Sequence, residues 1–410
     1  MKYPRYLKSK ILKSSSASPA LFLTGGRQTG KTTLMKEIAK EHFFDYITFD
    51  DIRILSSAKS DPIGILEQFT GKTLIIDEMQ RVPEISLPMK VAIDENRHNG
   101  MYLLTGSSNP LVVPKLNDSL SGRLFILQLW PLSYAEILQI PPPQFLENLF
   151  LEKWPNQSFR RWPKEELISV ILKGGYPTVQ NISRDIRDEW FNNHLRTLLE
   201  RDIQDLAQIK KLDELPLLMQ TIANRSGSLL NISELSRATK IPYTTLNFYL
   251  TLLEALYLII RQPSWHKNHT RRITKSTKIY ITDTGLASFL IGADEKRLLA
   301  MPSLLGALLE TFVVMEVEKF LSFSSAYLSS YHFRSNAGHE ADLVIENKAG
   351  EIVGIEIKSS ETVREDDFKG LKKLKEESSS FLRGFVLYPG DEFIPFGKDL
   401  FALPMSSLFT

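Results

Sequence analysis

"ALFLTGGRQTGKTTLMKEIAK", residues 20–40, runs from an apolar stretch through a glycine-bracketed loop into a pattern with Leu34, Ile38 and Ala39 on one side. The periodicity predicts a buried strand, a tight loop and a helix. Gly25, four intervening residues, then Gly30, Lys31 and Thr32 have the spacing of a phosphate-binding loop, whose backbone N–H groups face phosphate oxygens at a helix N-terminus. Glycine is needed there because the backbone takes unusual dihedrals and approaches the ligand closely. Gly25, Gly26, Arg27, Gln28, Thr29, Gly30, Lys31, Thr32 and Thr33 are therefore expected to cradle ATP. Lys31 would reach the β- and γ-phosphates, and the Thr32 hydroxyl would hold Mg²⁺. The plainer alternative is a glycine-rich turn with no ligand.

Moving outward, "KTLIIDEMQRVPE" (72–84) is a short apolar run ending in two acids. A buried parallel strand reads this way. Asp77 is expected to hold Mg²⁺, and Glu78 to orient or deprotonate the attacking water; a solvated acidic strand end is the bland reading. "GMYLLTGSSNP" (100–110) ends a third strand in small polar residues, where Thr105 and Ser107 could sense the γ-phosphate or serve only a turn. In "LSGRLFILQLWPLSYAEIL" (120–138), Arg123 is either an arginine finger, acting in cis or in trans, or half of a surface salt bridge.

The chain has 410 residues, more than one core usually organises, so two or three domains are expected. Its 43% hydrophobic and 24% charged residues describe a globular protein, and a net charge of +2 confines any nucleic-acid affinity to local patches. The absence of cysteine excludes disulfides, thiolate metal sites and a cysteine nucleophile. No apolar run approaches the ~20 residues that span a bilayer. A cytoplasmic protein without a membrane partner is the expectation.

Residues 141–165 mix proline and aromatics without a period and read as a loop or lid. "LLERDI" (198–203) reads as helix, with Glu200, Arg201 and Asp202 preferred as an ion-pair device between domains over a catalytic group. In "NISELSRATKIPYTTLNFYLTLLEALYLII" (231–260), Asn231 and Glu234 resemble a helix start, and Pro242 begins a second helix. A helix-turn-helix would carry Tyr243, Thr244, Thr245 and Asn247 towards DNA. The acid-free stretch that follows holds Arg261, Lys267, Arg271, Arg272, Lys275 and Lys278, a charge suited to phosphates. The competing reading is a protein-packing module, since Leu246, Phe248, Tyr249 and Leu250 lie on the same helix.

Near the C-terminus, "ADLVIENKAGEIVGIEIKS" (341–359) predicts a hairpin with Gly350 as the left-handed residue of a three-residue loop. That register pairs Asn347 with Glu351, sets Asp342 opposite Glu356 and Glu340 opposite Lys358, and leaves Ala341, Leu343, Ile345, Val353, Ile355 and Ile357 on one apolar face. Opposed carboxylates repel unless a metal neutralises them, so Asp342 and Glu356, with Glu310 from a preceding apolar helix, are candidate Mg²⁺ or Mn²⁺ ligands. Lys358 would position water or stabilise developing charge. A solvated strand face with a Glu340–Lys358 pair is the alternative.

Asp342 with Glu356-x-Lys358 resembles the PD-(D/E)xK nuclease site, with Ala341 where that motif has proline. More widely, "GGRQTGKTT", "LIIDEMQRVPE", "LLTGSS", "SGRLFILQLWPLSYAEIL", "GGYP", "LLERDI", "KIYITDTGLASFL", "GHEADLVIE" and "GIEIKSS" resemble a large prokaryotic family of AAA-type ATPases with an uncharacterised C-terminal domain. The resemblance implies an α/β fold: a P-loop AAA-like parallel sheet over 1–140, a helical region over 141–225, a winged helix over 226–282 and a restriction-endonuclease-like domain over 283–410. The complete phosphate-loop site, the basic winged-helix candidate and the opposed acid pair together lead to the expectation of an ATPase that binds DNA, forms a homo-oligomer through the ATPase domain, and couples nucleotide state to a metal-dependent nuclease-like site. The alternative is a nucleotide-gated DNA- or protein-binding switch whose nuclease fold is silent.

Overall fold

The structure is a computed structural model that describes residues 3–69, 71–107, 120–155, 158–206, 212–268, 270, 272 and 275–410. Strands Ala20–Thr24 (β1), Asp45–Thr48 (β2), Leu74–Asp77 (β3), Tyr102–Gly106 (β4) and Leu124–Gln128 (β5) form a sheet in the order β2-β3-β4-β1-β5, each neighbouring pair parallel. The apolar runs of the three central strands β3, β4 and β1 are continuous because both of their faces are covered. Phe22, Ile76 and Leu104 face one core with Met89 and Ile93 of helix Ser86–Glu95. Leu21, Leu23, Ile75 and Leu103 face another with Leu34, Met35 and Ile38 of helix Lys31–His42. The loop after β1 and the acids after β3 emerge at the same sheet edge, with β4 between them.

The middle of the chain is helical. Helices Lys164–Lys173, Arg184–Thr197 and Glu214–Ala223 precede strand Ser228–Leu229 (β6), then helices Ile232–Thr239 and Tyr243–Ala255, then strands Ile259–Gln262 (β7) and Lys278–Ile281 (β8). The strands pair antiparallel in the order β6-β8-β7. Asn231 caps its helix as its residue type predicts, accepting the Glu234 N–H at 3.1 Å. "LLERDI" is a π-helical turn over Leu198–Asp202, a form that concentrates at functional sites.

Helix Pro302–Phe323 leads into a mixed sheet of Leu328–Arg334 (β9), Glu340–Asn347 (β10), Ile352–Ile357 (β11), Phe381–Tyr388 (β12), Ile394–Pro395 (β13) and Leu400–Pro404 (β14). The order is β13-β14-β12-β11-β10-β9, antiparallel from β9 to β11 and parallel from β11 through β12 to β14. Helix Pro302–Phe323 packs Phe312, Val313 and Val317 against Leu343, Val353 and Ile355 on one face, while Leu371 and Leu374 of helix Lys369–Glu377 cover Val344 and Ile352 on the other. Among the described residues, no helix is long and apolar enough to cross a membrane.

The hairpin register is the expected one: Leu343 pairs with Ile355, the Asn347 N–H donates to Glu351 O at 3.0 Å, and Gly350 has φ +82°. Two details differ. A register shift against β9 between Ala341 and Val344 turns Ala341 out of the Leu343–Ile345 face and into the opposite core. Glu340 pairs with Arg334, and Lys358 with Glu356 at 2.9 Å, so the Glu340–Lys358 pair of the solvated-face alternative does not form.

Candidate functional site

Gly25 turns the chain out of β1 with φ +150°, and an added Cβ would lie 2.2 Å from Leu129 O. Gly30 has φ +99° and directly precedes helix Lys31–His42, whose first N–H groups face the loop. Lys31 is 5% exposed and folds back so that its ammonium donates to Gly25 O (2.8 Å) and Gly26 O (2.9 Å). Burial pulls its pKa down to about 8, against the raising influence of Glu78 and Asp77. Thr29 Oγ1 closes the loop on Gly26 O at 2.9 Å.

Thr32 Oγ1 donates to Asp77 Oδ2 at 2.9 Å, so the two expected Mg²⁺ ligands are side by side. Tyr46 OH donates to the same oxygen at 2.8 Å, and Thr105 Oγ1 donates to Asp77 Oδ1. Thr105 Oγ1 also accepts the Glu78 N–H at 3.1 Å, so one hydroxyl on β4 fixes both acids. Glu78 is held in the left-handed region (φ 60°), and burial raises its pKa. Gln80 Nε2 joins Glu78 Oε2 (2.5 Å) to Ser107 Oγ (3.1 Å). A hydroxyl, a buried carboxylate and a lysine around an N–H-lined loop suit a nucleotide with a hard cation. Tyr46 had no motif to announce it; only its cross-strand neighbour on β3 explains its place.

The cleft, about 900 Å³, is walled on one side by Lys31, Thr32, Glu78 and Ser107 and on the other by Pro177, Thr178, Asp202 and Leu256 of the helical middle. That volume is of the size that holds a cofactor. Arg27 reaches across it to Asp202 at 2.7 Å, the interdomain ion pair expected of "LLERDI". Glu200 pairs instead with Arg196 of its own helix. Arg5, which sequence reasoning passed over, binds Thr29 O (2.7 Å), Trp130 O (2.6 Å) and Glu136 (3.2 Å) behind the loop.

Arg123 is not in the cleft. It precedes β5, its carbonyl accepting the Ala20 N–H at the start of β1, so it lies at the sheet edge opposite the phosphate loop. Its guanidinium is bidentate on Asp94 at 2.7 and 2.9 Å. A finger in cis is thereby excluded by the parallel register of β1 and β5.

In helix Tyr243–Ala255, Tyr243 and Thr244 are exposed, Thr245 and Asn247 half-buried, and Leu246, Tyr249 and Leu250 buried. Lys267 is exposed, and Arg271 lies outside the described residues. Arg272 departs from the expected phosphate contact: it is 9% exposed, bidentate on Glu346 (2.6 and 2.8 Å), donates to His266 O and stacks over Trp265 and Tyr331. Lys278 departs further, being 2% exposed inside the C-terminal acid cluster.

There, Lys278 Nζ donates to Glu310 Oε1 at 2.7 Å and to Asp342 Oδ1 at 3.2 Å, and Tyr280 OH donates to Glu310 Oε1 at 2.8 Å. Asp342 Oδ2 accepts the Ile357 N–H at 2.9 Å. Glu356 Oε1 accepts from Lys358, while its Oε2 is buried without a partner. Burial, reinforced by Asp342, raises Glu310 to about 7 and lifts Glu356 well above the carboxylate range. Burial works against the Lys278 charge, but Asp342 and Glu310 outweigh it and the pKa rises. These oxygens match a hard cation in kind. Among the described residues, however, no three acids or histidines converge to hold a metal ion; an ammonium lies between Glu310 and Asp342. Lys278 and Tyr280 were legible as polar residues on one face of "KIYI", the same anomaly that marked the hairpin.

An AAA domain model matches residues 17–138, and two domain-of-unknown-function models, DUF8612 and DUF4143, match 164–297 and 305–408. An uncharacterized protein of Mycobacterium tuberculosis is 27% identical over 406 residues, covering 98% of this chain and 83% of that one. One from Methanocaldococcus jannaschii is 23% identical over 368 residues, covering 85% and 77%. The ORC2 protein of Aeropyrum pernix, solved in ADPNP and ADP complexes, aligns at 17% identity over 72% of this chain and 91% of its own, with a TM-score of 0.34. The match over residues 17–138, on a five-stranded parallel sheet bearing the loop and acids described, makes the N-terminal part of this chain an AAA-type, ATPase-like domain.

Proposed function

We propose that the chain hydrolyses ATP in the cleft between its parallel sheet and its helical middle, binds DNA, and couples nucleotide state to a metal-dependent nuclease-like site on β10 and β11. The observation that carries the first step is the hydrogen-bonded series Thr32–Asp77–Thr105–Glu78, which sets a hydroxyl and two acids beside the phosphate loop. In this reading Lys31 leaves the loop carbonyls for the phosphates, and Glu78, steadied by Gln80, takes the proton of the attacking water. Mg²⁺, held by Thr32 and Asp77, would neutralise phosphate charge. Arg123, remote from its own cleft, would act on a neighbouring subunit's nucleotide in a homo-oligomer.

DNA binding draws on the order helix, β6, helix, helix, β7, β8, which is that of a winged helix with the exposed start of Tyr243–Ala255 as its reading end. The nuclease-like reading draws on Asp342 beside Glu356 and Lys358 on a mixed sheet backed by a helix bearing Glu310. Steady-state ATP turnover, and incubation with DNA and Mg²⁺ or Mn²⁺, test the two halves separately. Turnover unchanged in Lys31→Ala rejects the first. No cleavage, or equal cleavage by Asp342→Ala, rejects the second. A second reading, an ATP-gated switch that recruits DNA or protein without cutting it, is favoured by the ammonium between Glu310 and Asp342.

A further inference from the structure

Lys278 belongs to β8, within the 164–297 segment, yet its ammonium serves carboxylates of the 305–408 segment: Glu310 at 2.7 Å, Asp342 at 3.2 Å and Glu340 at 3.9 Å. One buried cation is shared by three acids, two of them proposed metal ligands. β8 fixes the side chain from both sides, pairing Lys278 with Leu229 and with Gln262, and Tyr280 on the same face of the strand holds Glu310. Beside this group, Glu356 Oε2 is buried and unpartnered, an acceptor that the ammonium does not reach.

An ammonium and a divalent cation cannot occupy the same carboxylate pair, because like charges at that distance in a buried site repel strongly. Lys278 also supplies the charge that a metal would supply, so its seat keeps Glu310 and Asp342 compensated without one. We infer that Lys278 is a built-in counter-cation that holds the C-terminal acid site closed to divalent metal. The inference rests on the proposed metal-site reading.

The test is Mn²⁺ binding to the full chain without nucleotide or DNA, by calorimetric titration, for wild type, Lys278→Gln and Lys278→Arg, each with and without Asp342→Ala to assign the site. Lys278→Gln keeps a donor for Glu310 but removes the charge, and is expected to bind Mn²⁺ at least ~10-fold more tightly than wild type, whereas Lys278→Arg stays weak. Asp342-dependent binding of equal strength in wild type and Lys278→Gln overturns the inference while the metal-site reading survives. No Asp342-dependent binding in any folded variant overturns both. If Lys278→Gln is unstable, its melting temperature decides: recovery on adding Mn²⁺, lost with Asp342→Ala, supports the inference, and no recovery overturns it.

Discussion

Arg27 Nη1 lies 2.7 Å from Asp202 Oδ1, an ion pair that joins the phosphate-binding loop to the π-helical turn of the helical middle. The Asp202 side chain is 7% exposed and lines the cleft in which phosphates are expected, so nucleotide and carboxylate compete for the same guanidinium.

Asp202→Asn is therefore expected to bind ATP roughly 3- to 10-fold more tightly at low salt, with the gain shrinking as salt rises. Fluorescent-nucleotide titrations at two ionic strengths measure it. An unchanged or weaker affinity at both would mean that Asp202 does not oppose the phosphates.

Lys31→Ala and Glu78→Gln should fail differently. The first removes the cation that faces the phosphates and should abolish measurable binding; the second keeps binding and should lower kcat by about 10²- to 10⁴-fold. Parallel binding and turnover assays separate them. Loss of binding in Glu78→Gln would make that residue structural.

His194 gives a pH dependence of stability. It is 4% exposed and stacked on Trp190, both ring nitrogens lack partners, and burial lowers its pKa to about 4 from the ordinary 6.5. Between those values the unfolded chain binds more protons, so stability falls as pH falls, by up to about 1.4 kcal/mol per unit. His194→Phe should flatten this part of the profile, improving stability at pH 5 relative to pH 7 by about 2 kcal/mol against wild type. Denaturant melts across pH 4 to 7 provide the readout, and parallel profiles would count against it.

Lys319 and Glu316 form a buried pair at 2.7 Å on helix Pro302–Phe323, which also receives the Tyr134 N–H on Glu316 and gives a Lys319 bond to Leu132 O. Lys319→Met strands the Glu316 charge and should cost about 3–5 kcal/mol, whereas replacing both residues by apolar ones should cost far less. Chemical denaturation of the single and double variants compares them.

For Arg123, the expectation is a concentration effect. If it completes a neighbour's site, specific ATPase activity rises with protein concentration in wild type and stays flat in Arg123→Ala. A rise of the same size in the variant would leave Arg123 as the partner of Asp94 alone.

The phosphate-loop geometry and the acid pair beside it were legible because they are local: Gly25 to Thr32 is one loop, and Asp77 and Glu78 end one strand. The hairpin was legible because a glycine turn fixes a two-residue period. What escaped was set by distant strands. Tyr46 meets Asp77 only through the pairing of β2 with β3, and the basic run 261–278 read as a single surface although Arg272 and Lys278 turn inwards to Glu346 and Glu310. Net charge along a stretch says nothing about which members find acids elsewhere in the fold. The turned-out Ala341 had no signal either, because a bulge is decided by the neighbouring strand.

Helix Pro302–Phe323 has a practical consequence for dissecting the protein. Most of its buried apolar residues share one cluster that runs from Tyr134 to Leu408, and Lys10 near the N-terminus donates to Ser322 O and Ser324 O at its far end. A fragment cut between 297 and 305, where the sequence matches divide, strips Leu305, Leu309 and Phe312 of their neighbours on one side. It also leaves Glu310 without Lys278. Such halves are expected to aggregate when expressed alone and to become soluble when made together, so point substitutions in the whole chain are the sounder way to separate its activities.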